Sequence, residues 1–294
     1  MLKKFKPLTV KSIPVDDVDH PESPHIALPK HEFTWGFIAP PGSGKTTLMI
    51  NLLDMYRGYF HRIKVFSPTV LSDDKWDWLK EQKLLAENTP LKDWIKKKLE
   101  EERKEQIASD HPLSQEVLEL DDEEFSPFLS EEDFYDDYDD DSFRKLMESQ
   151  KAIITLLKKL GQPKYLADRC LIIFDDLVGS PLFKGQKGSY FTGVVTRHRH
   201  YGTSMFVVTQ GYKEIPKTIR TALKCLSIFE IGNEQELRVI YEEFGMGLSF
   251  PDWMEVYEHA VKDHDFGFLF LDYKKPRLQR MMRNFEEIIF HQDK

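Results

Sequence analysis

Apolar residues along this chain gather into short continuous runs, separated by stretches whose apolar positions recur at helical spacing. The first run, Phe33–Ile38 (FTWGFI), predicts a buried strand. A Pro/Gly/Ser turn follows, and Lys45-Thr46-Thr47 opens an amphipathic helix through Leu48, Leu52 and Leu53. Arg62–Ser67 (RIKVFS) predicts a second strand, stopped by Pro68. Cys170–Phe174 is apolar throughout, the pattern of a strand covered on both faces of a parallel sheet. Ser204–Thr209, Leu226–Ile231 and Phe266–Asp272 predict further strands. Gly188–Tyr201, Ile215–Leu223, Glu234–Phe244 and Pro251–Val261 predict helices between them. Strands alternating with helices specify an α/β fold with a largely parallel central sheet flanked by helices.

The same pattern divides the chain. Residues 1–30 carry Pro7, Pro14, Pro21, Pro24 and Pro29 without periodicity and read as an extended arm. Residues 31–72 and 161–294 form the core. Residues 73–160 are too long for a loop in a compact domain and read as a helical insertion. Its first part is helical in period through Trp76, Trp78, Leu79, Trp94, Ile95 and Leu99, and Phe143–Leu160 is an amphipathic helix. Between them lies a flexible acidic centre, residues 121–141.

Charge changes the picture only once it is located. The net charge is −9, but the twelve acids of 121–141 stand without a base; removing them from the chain's 50 leaves 38 acids against 41 bases, about +3. The body is mildly basic with an acidic segment attached. That segment is either a solvated loop or, with Phe125, Phe128, Phe134, Tyr135 and Tyr138 interleaved, a docking or autoinhibitory element that competes with nucleic acid for a basic groove. KKPRLQRMMR, with Lys274, Lys275, Arg277, Arg280 and Arg283, is either a solvated face or a contact to phosphate backbone. No apolar run approaches the ~18 residues of a membrane span. The lysine-bearing start MLKKFKPLTV has no apolar stretch behind it, so no signal peptide is expected. Cys170 and Cys225 both fall in apolar strand runs and are expected to be buried thiols rather than a disulfide.

Candidate chemistry begins at the turn after the first strand, Ala39-Pro40-Pro41-Gly42-Ser43-Gly44-Lys45-Thr46-Thr47. Strand, glycine-rich turn and helix in that order are the setting a P-loop requires. Backbone N–H groups of the turn and the positive helix end would cradle phosphates. Lys45 would reach the β- and γ-phosphates of ATP, and the Thr46 hydroxyl would hold Mg²⁺. Ala39 departs from the strict pattern, which has glycine there; a positive φ at that position would cost about 1 kcal/mol. The second anchor is CLIIFDDL: two carboxylates at the C-terminal end of a buried strand, where open α/β sheets place their chemistry. Asp175 would bind Mg²⁺ and Asp176 would orient the attacking water. Gln210 ends the Ser204–Thr209 strand, suited to sense the γ-phosphate if that strand adjoins the one carrying Asp175. In TRHRHY, His-x-His lacks a further close ligand, so zinc is not expected there. Arg199 or Arg220 could act across a subunit interface.

APPGSGKTT, Ser67-Pro68-Thr69, IIFDDL, RHRHYGTSMFVVTQ and IPKTIRTAL together resemble the poxvirus-type genome-packaging ATPases of large DNA viruses and virophages, within the FtsK/HerA superfamily of DNA-pumping ring motors. The resemblance covers Phe33 to Arg220 apart from the insertion, and roughly the C-terminal strands. It implies a RecA-like P-loop core, Mg²⁺-dependent ATP hydrolysis and translocation of double-stranded DNA into a preformed capsid. It further implies self-association into a ring and a capsid vertex or portal partner. The place of action would be the host cytoplasm, a virus factory or the virion, without secretion. Carried over by position, it gives Lys45 and Thr46 to phosphate and metal, Asp175 and Asp176 to metal and water, Gln210 to the sensor and Arg199 or Arg220 to the finger. Asp176 stands where many members carry Glu. Two other classes stay open on the residues: a P-loop kinase acting on a small molecule, and a nucleotide-binding adaptor that does not translocate.

Overall fold

In the computed structural model, which describes residues 20–86, 89–104, 128–161, 168–177, 190–262 and 266–289, the apolar runs become the middle of one sheet. Its strands are β1 (Thr34–Ile38), β2 (Arg62–Phe66), β3 (Phe134–Tyr135), β4 (Cys170–Asp175), β5 (Thr203–Thr209), β6 (Cys225–Phe229), β7 (Phe268–Asp272), β8 (Met281–Arg283) and β9 (Glu287–Ile288). Among the described residues these nine strands run in the order β3-β2-β4-β5-β1-β6-β7-β8-β9. Pairing is parallel from β3 to β6 and antiparallel from β6 to β9. The mixed α/β fold is as expected; the antiparallel β8 and β9 were not legible, being two or three residues long.

Eight helices cover the sheet among the described residues: α1 (Lys45–Met55), α2 (Asp74–Lys80), α3 (Thr89–Lys104), α4 (Asp140–Lys159), α5 (Tyr190–Thr196), α6 (Lys217–Arg220), α7 (Glu234–Phe244) and α8 (Phe250–Val261). Alternation along β1 sends Trp35 and Phe37 to one face, where Leu52, Leu53 and Tyr56 of α1 and its following turn pack on them. Ile38 points to the other face, among residues of α4, α5, α7 and α8. Caps fix the helix starts. Asp139 accepts from the Ser142 amide, Asn233 from Gln235 and Glu236, and Ser249 from Asp252.

The helix expected over 188–201 is interrupted. α5 ends at Thr196, and His198–Tyr201 form a 3-10 turn closed by Gly202 at φ 55°. His198 Nδ1 meets the Val195 carbonyl at 2.9 Å, satisfying a helix-end acceptor that a continuing helix would have used. Residues 188–189 lie outside the described residues.

The described part of the acidic segment packs along the sheet edge. Residues 121–127 lie outside the described residues, but 128–141 have definite structure. Asp133 pairs with Lys64 at 2.7 Å and Glu131 with Lys80 at 2.9 Å. β3 adds to β2, with Tyr135 stacked on Phe66 at 4.4 Å between ring centroids. The insertion thus contributes a strand and, through Phe143 and Met147 of α4, part of the core. Trp94 and Ile95 of α3 make a separate small cluster with Leu156 and Leu160. Cys170 and Cys225 are buried free thiols, and burial pushes the Cys170 thiol up to about 12. No helix of the described residues is long and apolar enough to cross a membrane.

Candidate nucleotide site

The sheet order decides what can meet. β1, which delivers the glycine-rich turn, has β5 on one side and β6 on the other, and β4 lies beyond β5. The C-terminal ends of β1, β5 and β4 therefore stand in a row, carrying residues 39–47, Gln210 and Asp175-Asp176. This is the adjacency the sensor reading of Gln210 required.

The turn is wound by its glycines. Gly42 has φ 77° and Gly44 φ 86°, left-handed values that glycine adopts without strain. Ser43 donates from both its amide and its hydroxyl to the Pro40 carbonyl, at 3.2 and 2.7 Å. Gly44 is the N-cap of α1, which begins at Lys45, so Lys45, Thr46 and Thr47 make up its first turn. Ala39 is not among the residues with positive φ; it is fully buried, and its amide donates to the Thr209 carbonyl at 3.1 Å. Alanine in place of the pattern's glycine carries no backbone strain here, correcting the cost a positive φ would have imposed.

Three expected side chains converge. Lys45 Nζ lies 3.0 Å from Asp176 Oδ2, an approach of charge to charge without good hydrogen-bond alignment. Gln210 Nε2 donates to both Asp176 oxygens, at 3.1 and 3.0 Å. Asp176 itself has φ 50° and donates its amide to the Val208 carbonyl at 3.1 Å, so the bend at the end of β4 is pinned to β5. Strained backbone of this kind costs about 1–3 kcal/mol and collects at functional sites.

Asp175 is held differently. It is 2% exposed, Oδ2 accepts from the Ser67 hydroxyl at 3.0 Å, and Oδ1 is buried without a hydrogen-bond partner. Burial raises its pKa to about 6, against the pull of Lys45 and Ser67 and with some help from Asp176 and Asp73. A buried carboxylate oxygen with an unused lone pair fits a hard cation, which takes oxygen ligands. Ser67 follows β2, and its hydroxyl lies 3.0 Å from that of Thr69, which in turn accepts from Trp76 Nε1 at 3.1 Å. In the sequence Ser67 and Thr69 stand out only as part of the Ser67-Pro68-Thr69 tripeptide. The signal that could have given Ser67 a role was its place as a hydroxyl at the end of the strand next to β4.

A cavity of about 360 Å³ opens beside the turn, lined by Gly44, Thr47, Asn51, Phe229, Phe266 and Asn284 among others. Phe266, 65% exposed, lies so near Gly44 that a Cβ there would sit 2.8 Å from its ring. Sequence patterns gave no sign of this apolar flank, because its residues come from four separate elements.

The two candidate arginines do not join this site within one chain. Arg199 is exposed on the turn leading into β5, the opposite end of that strand from Gln210. Arg220 is turned inward, 3.4 Å from Glu243 and with its guanidinium 4.9 Å from the Tyr212 ring centroid. Of the basic run, Lys274 and Lys275 donate to the carbonyls of Glu32 and Ile26, and Arg283 belongs to β8.

No protein-family model matches the chain, and no curated protein matches it. Among solved structures, the genome packaging NTPase B204 from Sulfolobus turreted icosahedral virus 2 in complex with AMPPCP superposes with TM-score 0.50 at 16% identity, over 85% of this chain and 96% of that one. The sulfate complex of the same protein gives 0.50 at 15% identity, over 88% and 98%. The cytoplasmic domain of the type VII secretion ATPase EccC from Thermomonospora curvata is more distant, with TM-score 0.40 at 16% identity over 85% of this chain and 25% of that one. At this identity the likeness to the packaging NTPase is one of fold.

Proposed function

We propose that the chain is an ATPase that translocates double-stranded DNA, working as a ring that packages a viral genome into a preformed capsid. The observation that carries the hydrolytic part is the meeting of Lys45, Asp176 and Gln210 at the ends of adjacent strands, beside a glycine-wound anion-binding turn. The DNA part rests on the motif resemblance and on a shared fold with a viral genome packaging NTPase.

ATP enters with its phosphates over residues 42–47, and its base takes the apolar cavity beside Gly44. Lys45 then exchanges Asp176 for phosphate oxygens, which is a swap of one anion for another. The released Asp176 carboxylate orients and accepts a proton from the attacking water. Gln210, which donates to Asp176, would register the γ-phosphate and its loss. Asp175 and Thr46 would hold Mg²⁺, which when bound neutralises charge on the phosphates. A neighbour's arginine, Arg199 being the exposed one, would complete the charge stabilisation. Duplex contacts would go to phosphates and so be independent of sequence and weakened by salt. Such a ring would act at a capsid vertex or portal, in the host cytoplasm or virus factory.

Steady-state ATP hydrolysis with and without linear duplex DNA, at low and moderate salt, tests this alongside Lys45→Ala. Stimulation by DNA that fades with salt, and turnover at least ~10²-fold lower in Lys45→Ala, are expected. Turnover indifferent to DNA would overturn the translocase reading, and absence of turnover in the unaltered chain would overturn the ATPase.

A further inference from the structure

At the opposite end of the central strands, just before β1, three side chains with metal-ligand chemistry converge. His20, His31 and Glu32 each bring one ligand atom into a group whose atoms all lie within 4.8 Å of one another. The two histidines are 9% and 4% exposed, and their rings meet edge to face with centroids 4.5 Å apart. His20 Nε2 lies 3.4 Å from Glu32 Oε1. His31 Nδ1 is held by the Ser204 hydroxyl at 2.8 Å, which leaves Nε2 as its ligand atom. That Nε2 and the Nδ1 of His20 are buried without a hydrogen-bond partner. Buried polar atoms ordinarily find partners, and two unmatched imidazole nitrogens beside a carboxylate ask for an explanation.

We propose that His20, His31 and Glu32 form a structural site for a divalent ion of the zinc class. Two imidazoles and one carboxylate suit zinc, whereas magnesium and calcium select oxygen. The fourth position would fall to water. The Glu32 carboxylate supplies negative charge to the site, with Lys274 nearby. Ser204 Oγ, 2.8 Å from Nδ1, orients the His31 ring from behind, leaving Nε2 toward the other two ligands. The same oxygen accepts from the Glu32 and Phe33 amides at 3.2 and 3.3 Å, tying the ligand loop to the first residues of β5. The bound ion would join the segment at His20 to the loop entering β1, and through Ser204 to β5. These are the strands that carry the phosphate-binding turn and Gln210. The cluster stands about 17 Å, one strand length, from that turn, so it is separate from any ion held by Asp175.

The tag-free, nucleotide-free full chain is stripped of metal and titrated with Zn²⁺ against a chromophoric chelator, with Co²⁺ absorption reporting geometry. One equivalent of Zn²⁺, tetrahedral-type Co²⁺ bands and a zinc-dependent rise in melting temperature are expected, with no rise from Mg²⁺. Affinity falls at least ~10-fold in His20→Gln and in Glu32→Gln and holds in His200→Gln, an exposed histidine outside the cluster. His20 and Glu32 are the informative positions because His31 is packed more deeply and its replacement alone could unfold the loop. Absence of a stoichiometric site, or equal zinc affinity in the two variants and the unaltered chain, would overturn the proposal and leave the cluster as a histidine–carboxylate ion pair. Because nucleotide is absent throughout, the outcome does not depend on hydrolysis.

Discussion

Asp175 shows how a single carboxyl can be poor for the fold and good for binding. With 2% exposure and one oxygen lacking a partner, it resists ionisation, and its pKa stands at about 6. Between the ordinary carboxylate range and that value the native state holds a proton that the unfolded chain has released. Its stabilising contribution is therefore present at low pH, falls as pH rises through that window, and is absent above it. Asp175→Asn, which keeps the shape and removes the charge, should stabilise the nucleotide-free protein above about pH 6 by about 1–3 kcal/mol, and should make no difference near pH 4. Thermal melts over that pH range check the sign. The same variant should lose hydrolysis, because the oxygen that resists desolvation is the one suited to an incoming cation. A destabilised Asp175→Asn at pH 7.5 would mean that the bond from Ser67, rather than burial, governs the site.

At the scale of elements, β5 is the hinge of the arrangement. It lies between β1 and β4, so Gln210, the residue that follows it, stands between the glycine-rich turn and the two aspartates. Gln210→Ala leaves Asp176 without its two Nε2 contacts but touches neither the turn nor Lys45. Turnover should fall about 10²-fold while nucleotide affinity changes little, measured by single-turnover hydrolysis and equilibrium binding. Much of this was legible in the sequence, because central parallel strands are continuous apolar runs and their polar ends stand out: Asp175-Asp176 after CLIIF, Gln210 after SMFVVT. What escaped has the opposite character. β3 is two residues inside an acidic stretch, and its pairing is supported by Lys64 of β2 and Lys80 at the end of α2, a long-range match without local periodicity. The apolar flank at Phe266 and Asn284 likewise exists only after folding. That edge yields its own test. Lys64→Glu sets a carboxylate against Asp133 and should release β3, lowering the melting temperature by about 2–4 °C. It would also leave β2 as an open edge prone to self-pairing, seen as concentration-dependent mass in light scattering.

For the whole molecule, what matters is which end of the sheet each group occupies. Lys45, Asp176 and Gln210 gather at the C-terminal ends of the parallel strands, whereas Arg199 sits exposed where β5 begins. A chain cannot bring its own Arg199 to its own phosphates without unravelling β5, but a head-to-tail neighbour can present it. Such an interface is heterologous, one face of each subunit meeting a different face of the next, and closes into a ring when the rotation allows. Arg220 serves this less well, because Glu243 and Tyr212 already engage it; Arg220→Ala should act mainly by leaving the Glu243 carboxylate with the Tyr212 hydroxyl but without its cation, and lower stability. The division of labour predicts complementation. Arg199→Ala subunits keep an intact phosphate turn, and Lys45→Ala subunits keep an intact arginine, so each homogeneous assembly should be inactive. Mixed in equal amounts and allowed to exchange, about a quarter of the interfaces pair an intact turn with an intact neighbouring arginine, and that fraction of turnover should return. Recovery that follows the mixing ratio, peaking at equal parts, would place Arg199 in the neighbour's site. Two inactive proteins that stay inactive after exchange, with exchange verified by subunit labelling, would remove it.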